Sequence, residues 1–396
     1  MEPMAGSAAV LEELAHAIAD HLRARGVTTP VVVDLPEQRV RVQVAGEKRE
    51  IFLGNAYKEY AQAAPADRAA IVAKYARLAE GGVVPATSAA DWTTRVLPKL
   101  SKRSERELLA LRYAGQGGVE GLTRGHELGE SLVLELALDE PESVRVLTAS
   151  DLEHARLTED AAFALATTNL ARRSAEPWRV VRPGLYLSPW EDYFDGARLA
   201  LPHLFRALGL RGDPIVTIPN RCAVLVTGSD EPAGLGDLYA ATRALLETER
   251  PLHPGGLRLD GDRWRALGDE DIDLVRVAPE VLFLSSLQDA LDHEVLAPEL
   301  GPALAARGFG HVAELQTIER DGAPLFTVVA YPPCDVRSAL PRADLVMFQT
   351  AGGEQVALSW HKAVALVGPR IDGVWPAYFE ATRVPTDLEL AAAQAR

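Results

Sequence analysis

Three carboxylates and an arginine stand close together at Glu191, Asp192, Asp195 and Arg198, with Tyr193 among them. Paired carboxylates can divide acid and base roles when their surroundings push their proton affinities apart, and a guanidinium can hold negative charge on a reacting group. The same spacing has a plainer origin. Acids at a helix start complement the positive end of the backbone dipole, and Asp195 can bridge to Arg198 one turn on. Downstream, Asn220 and Arg221 form a Pro-Asn-Arg turn, and Ser229 and Asp230 follow a Thr-Gly pair. Asp192, Tyr193, Asp195, Arg198, Asn220, Arg221, Ser229 and Asp230 make up the candidate binding patch. Tyr186, Trp190 and Phe194 give it an aromatic rim, as at a protein interface.

No complete catalytic constellation accompanies the patch. There is no GxSxG, and Gly228-Ser229-Asp230 lacks the second glycine of a nucleophile elbow. Ser229 and Asp230 lie ahead of Pro232, where such residues cap a helix. Asp289, Asp292, His293 and Glu294 have helical spacing, and a metal site would use it. Without HExxH or paired CxxC they read as an exposed acidic face, and no metal is expected. Gly115-Gln116-Gly117-Gly118 and Gly234-Leu235-Gly236 are neither a P-loop nor a GxGxxG after a strand, so no cofactor is expected. His253, His311 and His361 are isolated; His361, beside Trp360, reads as a packed or rim residue on a strand.

Apolar periodicity supplies the elements that must position these groups. A helix is predicted over 7–25, then strands over 31–35, 39–44 and 50–53 with a turn at Ala45-Gly46-Glu47, and helices over 55–64 and 67–80 that Gly81-Gly82 should end. Residues 85–94, rich in Ala, Thr and Ser, read as a linker. A polar helix over 104–113, a glycine-rich loop over 115–129, strands over 131–138 and 144–147, and a helix capped by Thr158 follow. Phe194, Ala197, Leu201, Leu204, Phe205 and Leu208 share one helical face, which Pro202 should kink or restart. A hairpin of 215–218 and 222–227 precedes a helix over 235–249. The acidic stretch from Gly268 reads as a boundary. Beyond it come a helix over 285–306 and strands over 311–318, 325–331, 344–349, 355–360 and 363–367. Short loops such as Arg320-Asp321-Gly322 favour antiparallel pairing. The expected class is α+β, with mostly antiparallel sheets in regions 1–150, 151–268 and 269–396.

The chain has 396 residues, 47% hydrophobic and 24% charged, which is the balance of a globular protein with more than one core. Its 41 basic and 56 acidic residues give a net charge of −15. The densest basic run, Lys99 to Arg106, is broken by Ser and Glu and reads as a solvated helix start, so no nucleic-acid partner is expected. No apolar run suits a membrane helix, and the N-terminus lacks a signal-peptide core, so no membrane is expected and the cytoplasm is the expected compartment. Cys222 and Cys334, each in or beside a strand-like run, read as small buried hydrophobes.

Several short motifs occur together along the chain. They are Phe52-Leu53-Gly54-Asn55 with Tyr57 and Tyr60, Val96 to Pro98, Ala166 with Asn169-Leu170, and Tyr193 with Asp195, Ala197 and Arg198. Gly212-Asp213-Pro214, Pro219-Asn220-Arg221 and Thr227-Gly228-Ser229 follow. In these residues the chain resembles the YtpQ-like family of bacterial proteins, a domain family without an established molecular function. The resemblance covers about residues 7–268, with 269–396 as an extension. It implies a fold and supplies no mechanism. Cys222 stands where the pattern has an acidic residue, which weakens an acid role for that turn.

Two functional classes follow. The first is a non-catalytic interaction module that presents an acidic, aromatic surface to a protein partner or to a second copy, and the missing catalytic constellation favours it. The second is a hydrolase with Asp192, Asp195 or Asp230 as base and Arg198 or Arg221 holding negative charge. Convergence of Tyr193, Arg198, Arg221 and Asp230 in a deep cleft would favour chemistry; dispersal would favour binding.

Overall fold

The computed structural model describes residues 5–35, 38–44, 47–80, 89–113, 121–140, 143–246, 251–268, 271, 274, 280–320 and 323–395. They fall into two compact units, one of residues 1–94 with 140–143 and one of residues 95–139 with 144–396. The class is α+β. Among the described residues no helix is long and apolar enough to cross a membrane.

In the first unit, α1 (Ala5–Ala24) places Leu14, Ile18 and Leu22 on one stripe at a spacing of four. That stripe packs with Val40 and Val42 of β2 (Arg39–Val44) and Ile51 of β3 (Glu47–Phe52), alternate residues that share one sheet face. β1 (Val32–Asp34) completes an antiparallel meander. Helices α2 (Leu53–Gln62) and α3 (Arg68–Glu80) close the core with Tyr60, Val72 and Tyr75. The predicted elements are all present. Ala45-Gly46, Gly81-Gly82 and 85–88 lie outside the described residues. The linker reading fails for 89–94, which belong to α4 (Ala89–Arg95): Trp92 turns inward and is buried, an anchor that the small residues around it disguise.

The second unit opens with β4 (Val96–Lys102) and α5 (Arg103–Tyr113). Of the predicted glycine-rich loop, 115–120 lie outside the described residues, and its later part carries β5 (His126–Leu128), which pairs with β6 (Leu132–Glu140); β6 also pairs with β4 and β7 (Ser143–Val146). Helix α6 (Ala149–Ala155), absent from the sequence reading, starts in a capping box of Thr148 and Asp151. Helix α7 (Glu159–Arg172) starts at Thr158 as expected, the hydroxyl accepting from the Ala161 amide. A six-stranded antiparallel sheet follows. In chain order it is β8 (Arg179–Arg182), β9 (Leu185–Leu187), β10 (Pro214–Asn220), β11 (Ala223–Gly228), β12 (His253–Asp260) and β13 (Arg263–Ala266), with β8 and β13 at the edges. Between β9 and β10 lie a 3-10 turn (Gly196–Ala200) and then α8 (Pro202–Arg206), with Pro202 starting a fresh turn. Helix α9 (Pro232–Leu246) covers the sheet.

Helix α10 (Glu280–Ala306) runs 27 residues, about 40 Å at the usual rise, and packs on α5, β12 and β16. Beyond it, β14 (His311–Val312), β17 (Ser338–Pro341) and β20 (Tyr378–Ala381) form one sheet, while β15 (Leu315–Arg320), β16 (Ala323–Ala330), β18 (Leu345–Gln349) and β19 (Gln355–Ser359) form another. The β14–β17 and β16–β18 pairs are parallel; the other pairs are antiparallel. No strand forms over 363–367. The chain instead turns through α11 (Trp360–Ala363), whose buried Trp360 and Ala363 have helical spacing. Helix α12 (Asp387–Gln394) ends the fold. Of the acidic stretch after Gly268, Asp271 is described: it is buried, gripped by two bonds from Arg265 at 2.6 and 2.8 Å and one from Arg258 at 3.1 Å.

Candidate functional site: a polar cleft beside the long helix

The patch singled out from sequence does not assemble. Arg198 is fully buried, and its two outer nitrogens donate to the two Asp192 oxygens at 2.9 and 2.8 Å. Its Nε donates to Ser174 Oγ at 2.9 Å, and the guanidinium lies 4.0 Å from the centre of the Trp190 ring. The expected Asp195–Arg198 bridge is therefore replaced by Asp192–Arg198. Asp195 is buried and accepts from the Glu191 and Asp192 amides at 3.3 and 3.1 Å. Glu191 and Tyr193 adopt positive φ, a tight turn that brings those amides onto one carboxylate. Tyr193 projects outward at 62% exposure, but Phe194 is buried and leaves the rim.

Asn220 and Arg221 sit at the tip of the β10–β11 hairpin. Asn220 Oδ1 accepts from the Cys222 amide at 2.9 Å, a local turn bond. Ser229 and Asp230 lie past the other end of the same hairpin, about 20 Å away by strand rise. Ser229 Oγ accepts from the Asp213 amide at 2.9 Å, so it ties two loops together. Cys222 and Cys334 are half-buried, not buried, and form no disulfide. The basic run is corrected as well: Ser101, Lys102 and Ser104 are buried at the β4–α5 junction, and only part of the run is solvated.

A different set of polar groups gathers beside α10. Ser285, Gln288, Asp289, Asp292 and His293 recur at three- and four-residue steps and share one side of the helix. Gly255 and Gly256 of β12 let that side approach, since a Cβ at Gly255 would sit 3.2 Å from Gln288 Cβ. From the other direction come Glu130 and Ser131 of the β5–β6 turn, Arg342 and Asp344 after β17, Trp360, and the segment carrying Arg370 and Trp375. The Arg103 amide donates to Ser131 O, and the Arg342 amide to Ala377 O, which fixes these walls. Two cavities of about 300 and 420 Å³ result, both lined by Asp289, Glu130 and Arg342. His253, Gly255 and Gln288 line the smaller; Asp292, His293, Arg103, Arg370 and Trp375 line the larger.

Asp344 is fixed as an acceptor by Ser286 Oγ, the Thr327 amide and Thr327 Oγ1, all on Oδ2 at 2.6–2.8 Å. Burial first, then the charge of Asp344, pushes Asp289 up to about 7; Arg342 opposes this, and Asp292 and Glu130 add to it. Asp289 nevertheless keeps a partly exposed face on the cavities. Among the described residues nothing hydrogen-bonds or ion-pairs with its carboxyl. Asp292 is pushed up to about 6 by burial, against a hydrogen bond from Gln288 Nε2 to Oδ2 at 2.8 Å. Ser104 also favours its ionised form, yet Ser104 Oγ and Asp292 Oδ1 both lack a partner at bonding geometry. Gln288 Oε1 is likewise buried and unpartnered. Burial holds His293 and His253 down to about 4, so both are neutral at pH 7. The Gly255 carbonyl, 2.9 Å from His253 Nδ1, makes that nitrogen the one that carries hydrogen.

Sequence reasoning did weigh Asp289, Asp292 and His293, and assigned them to an exposed acidic face. Burial overturns that for Asp292 and His293, and the cavity position overturns it for Asp289. Glu294 is exposed as expected. The available signal was a polar stripe at helical spacing on a helix rich in Leu, Val and Ala. His361, placed on a strand, stands instead on α11 and is exposed. Among the described residues no group of three or more His, Cys, Asp and Glu side chains is placed to hold a metal ion. The chain finds no match among family models, curated proteins or solved structures, so the functional reading rests on geometry.

Proposed function

We propose that the chain binds a small polar molecule in the cleft beside α10, with Asp289 meeting a positively charged group of that molecule. The supporting observation is that one carboxyl, without a hydrogen bond or ion pair among the described residues, lines two cavities at once. A buried acceptor left without a donor costs about 1–3 kcal/mol, and an ammonium or guanidinium supplies the missing donors. Cavities of this size and mixed lining suit a small ligand, and acids displaced toward neutrality concentrate at functional sites.

Proton linkage tests the reading. At pH 6 Asp289 is mostly protonated, and a bound cation favours its ionised form, so binding should release up to one proton; above pH 8 the release should vanish. Calorimetry of organic amines in two buffers of different ionisation enthalpy measures this, and Asp289→Asn should reduce it to the smaller part that Asp292 contributes. Amine binding with no proton release at pH 6, or no amine binding at all, would sink the proposal.

The interaction-module reading stays as a second proposal, supported by the outermost strand β8, whose Val180 and Val181 are exposed, and by exposed Tyr193. The hydrolase alternative draws less support, since Asp192 is engaged by Arg198 and Asp230 lies at the far end of the hairpin from Arg221. Membership of the YtpQ-like family over residues 7–268 and a cytoplasmic location are proposals on the sequence features already given.

A further inference from the structure

The larger cavity carries both signs of charge, and they are only partly paired off within it. Its wall on α10 holds Asp289 and Asp292. Three arginines with unequal commitments line the same cavity, Arg342 and Arg370 among them also open to solvent. Arg103 is occupied: it contacts Glu107 at 3.2 Å and Glu127 at 3.4 Å, and lies over the Trp375 ring. Arg342 has one loose contact, 3.8 Å to Glu130. Arg370 has no ion pair or side-chain hydrogen bond among the described residues. A ligand with positive charge alone would satisfy the acids and leave Arg370 facing it; a ligand with negative charge alone would meet the acids.

We propose that the cleft recognises a small zwitterion of the α-amino acid type, its ammonium held by Asp289 with the charge of Asp292 behind it and its carboxylate by Arg370 with Arg342. This deepens the binding reading above and rests on it. Asp292, 2% exposed in the same wall, adds negative charge at the ammonium end of the cavity. A guanidinium offers paired donors that match a carboxylate, so Arg370 supplies orientation as well as charge. Trp375 gives the cavity an aromatic surface for an apolar side chain.

The test uses the full chain and calorimetry at pH 7. Each of the twenty protein amino acids is compared with its decarboxylated amine and its N-acetyl derivative. At least one amino acid should bind ten-fold or more tightly than both of its derivatives. Arg370→Ala should weaken that amino acid ten-fold and leave the matching amine unchanged, which separates a lost contact from a lost fold. If amines bind as tightly as amino acids, or Arg370→Ala changes nothing, the zwitterion inference falls while the cation-binding reading stands. If neither amines nor amino acids bind, both fall.

Discussion

Asp192 and Asp289 are the same residue type driven in opposite directions by their neighbours. Burial pushes Asp192 up, but the hydrogen bonds and charge of Arg198 outweigh it and hold the carboxyl below its ordinary range. Its contribution to stability is present above the unfolded carboxylate range near 4 and is lost as pH falls through the lower folded value. Asp289 is buried among Asp344, Asp292 and Glu130, and Arg342 alone does not compensate, so its folded affinity rises to about 7. The sign then reverses. Between about pH 4 and 7 the folded chain holds a proton that the unfolded chain has released, so stability falls as pH rises through that window and levels off above it. Asp289→Asn should remove this slope, raising the unfolding free energy at pH 8 by about 1–2 kcal/mol once cavity water is allowed for, with little change near pH 4. Urea titrations at the two pH values measure it; equal stability of variant and parent at pH 8 would count against the assigned environment of Asp289.

At the scale of elements, the close approach of α9 to its sheet depends on Gly234, one of the glycines weighed and rejected as a phosphate site. A Cβ there would lie 2.2 Å from Thr227 Oγ1 and 2.8 Å from the Gly184 carbonyl, and Thr227 Oγ1 already donates to that carbonyl at 2.7 Å. Gly236, two residues on, has open space around it. Gly234→Ala should therefore cost about 2 kcal/mol through overpacking, whereas Gly236→Ala should be neutral or stabilise by up to about 1 kcal/mol through helix propensity. Thermal melts of the pair give the contrast, and equal effects of the two substitutions would refute the packing argument. The same element shows what periodicity can deliver: α9, the β10–β11 hairpin and α10 were legible because their apolar residues recur at the spacing of their own backbone. Residues 89–94 and 363–367 were misread because a single buried tryptophan, Trp92 or Trp360, sets the local structure in each case, and composition does not reveal which way a side chain turns.

At the scale of the whole molecule, strand β8 leaves a row of backbone groups at a sheet edge, with Val180 67% and Val181 44% exposed. Arg179 and Arg182 flank the valines, paired with Glu191 and Asp237, and give the edge some protection. A net charge of −15 repels second copies, and salt screens that repulsion over about 10 Å at 0.1 M. If the interaction-module proposal holds through self-association, sedimentation should show dimer formation that grows with salt, and Val180→Lys should abolish it. A chain that stays monomeric at about 0.5 M salt removes self-association through this edge.

Sequence by itself determined the α+β class and the positions of most helices and hairpins, because these depend on local spacing. The cleft was decided by tertiary structure alone. Asp289 and Asp292 read as solvated when α10 is taken in isolation, and become desolvated only when β12, the β5–β6 turn and the segments carrying Arg342 and Trp375 close around them. Proton affinity depends on those distant neighbours, with Asp344, 55 positions further along the chain from Asp289, the foremost charge among them, and no periodicity encodes such a meeting.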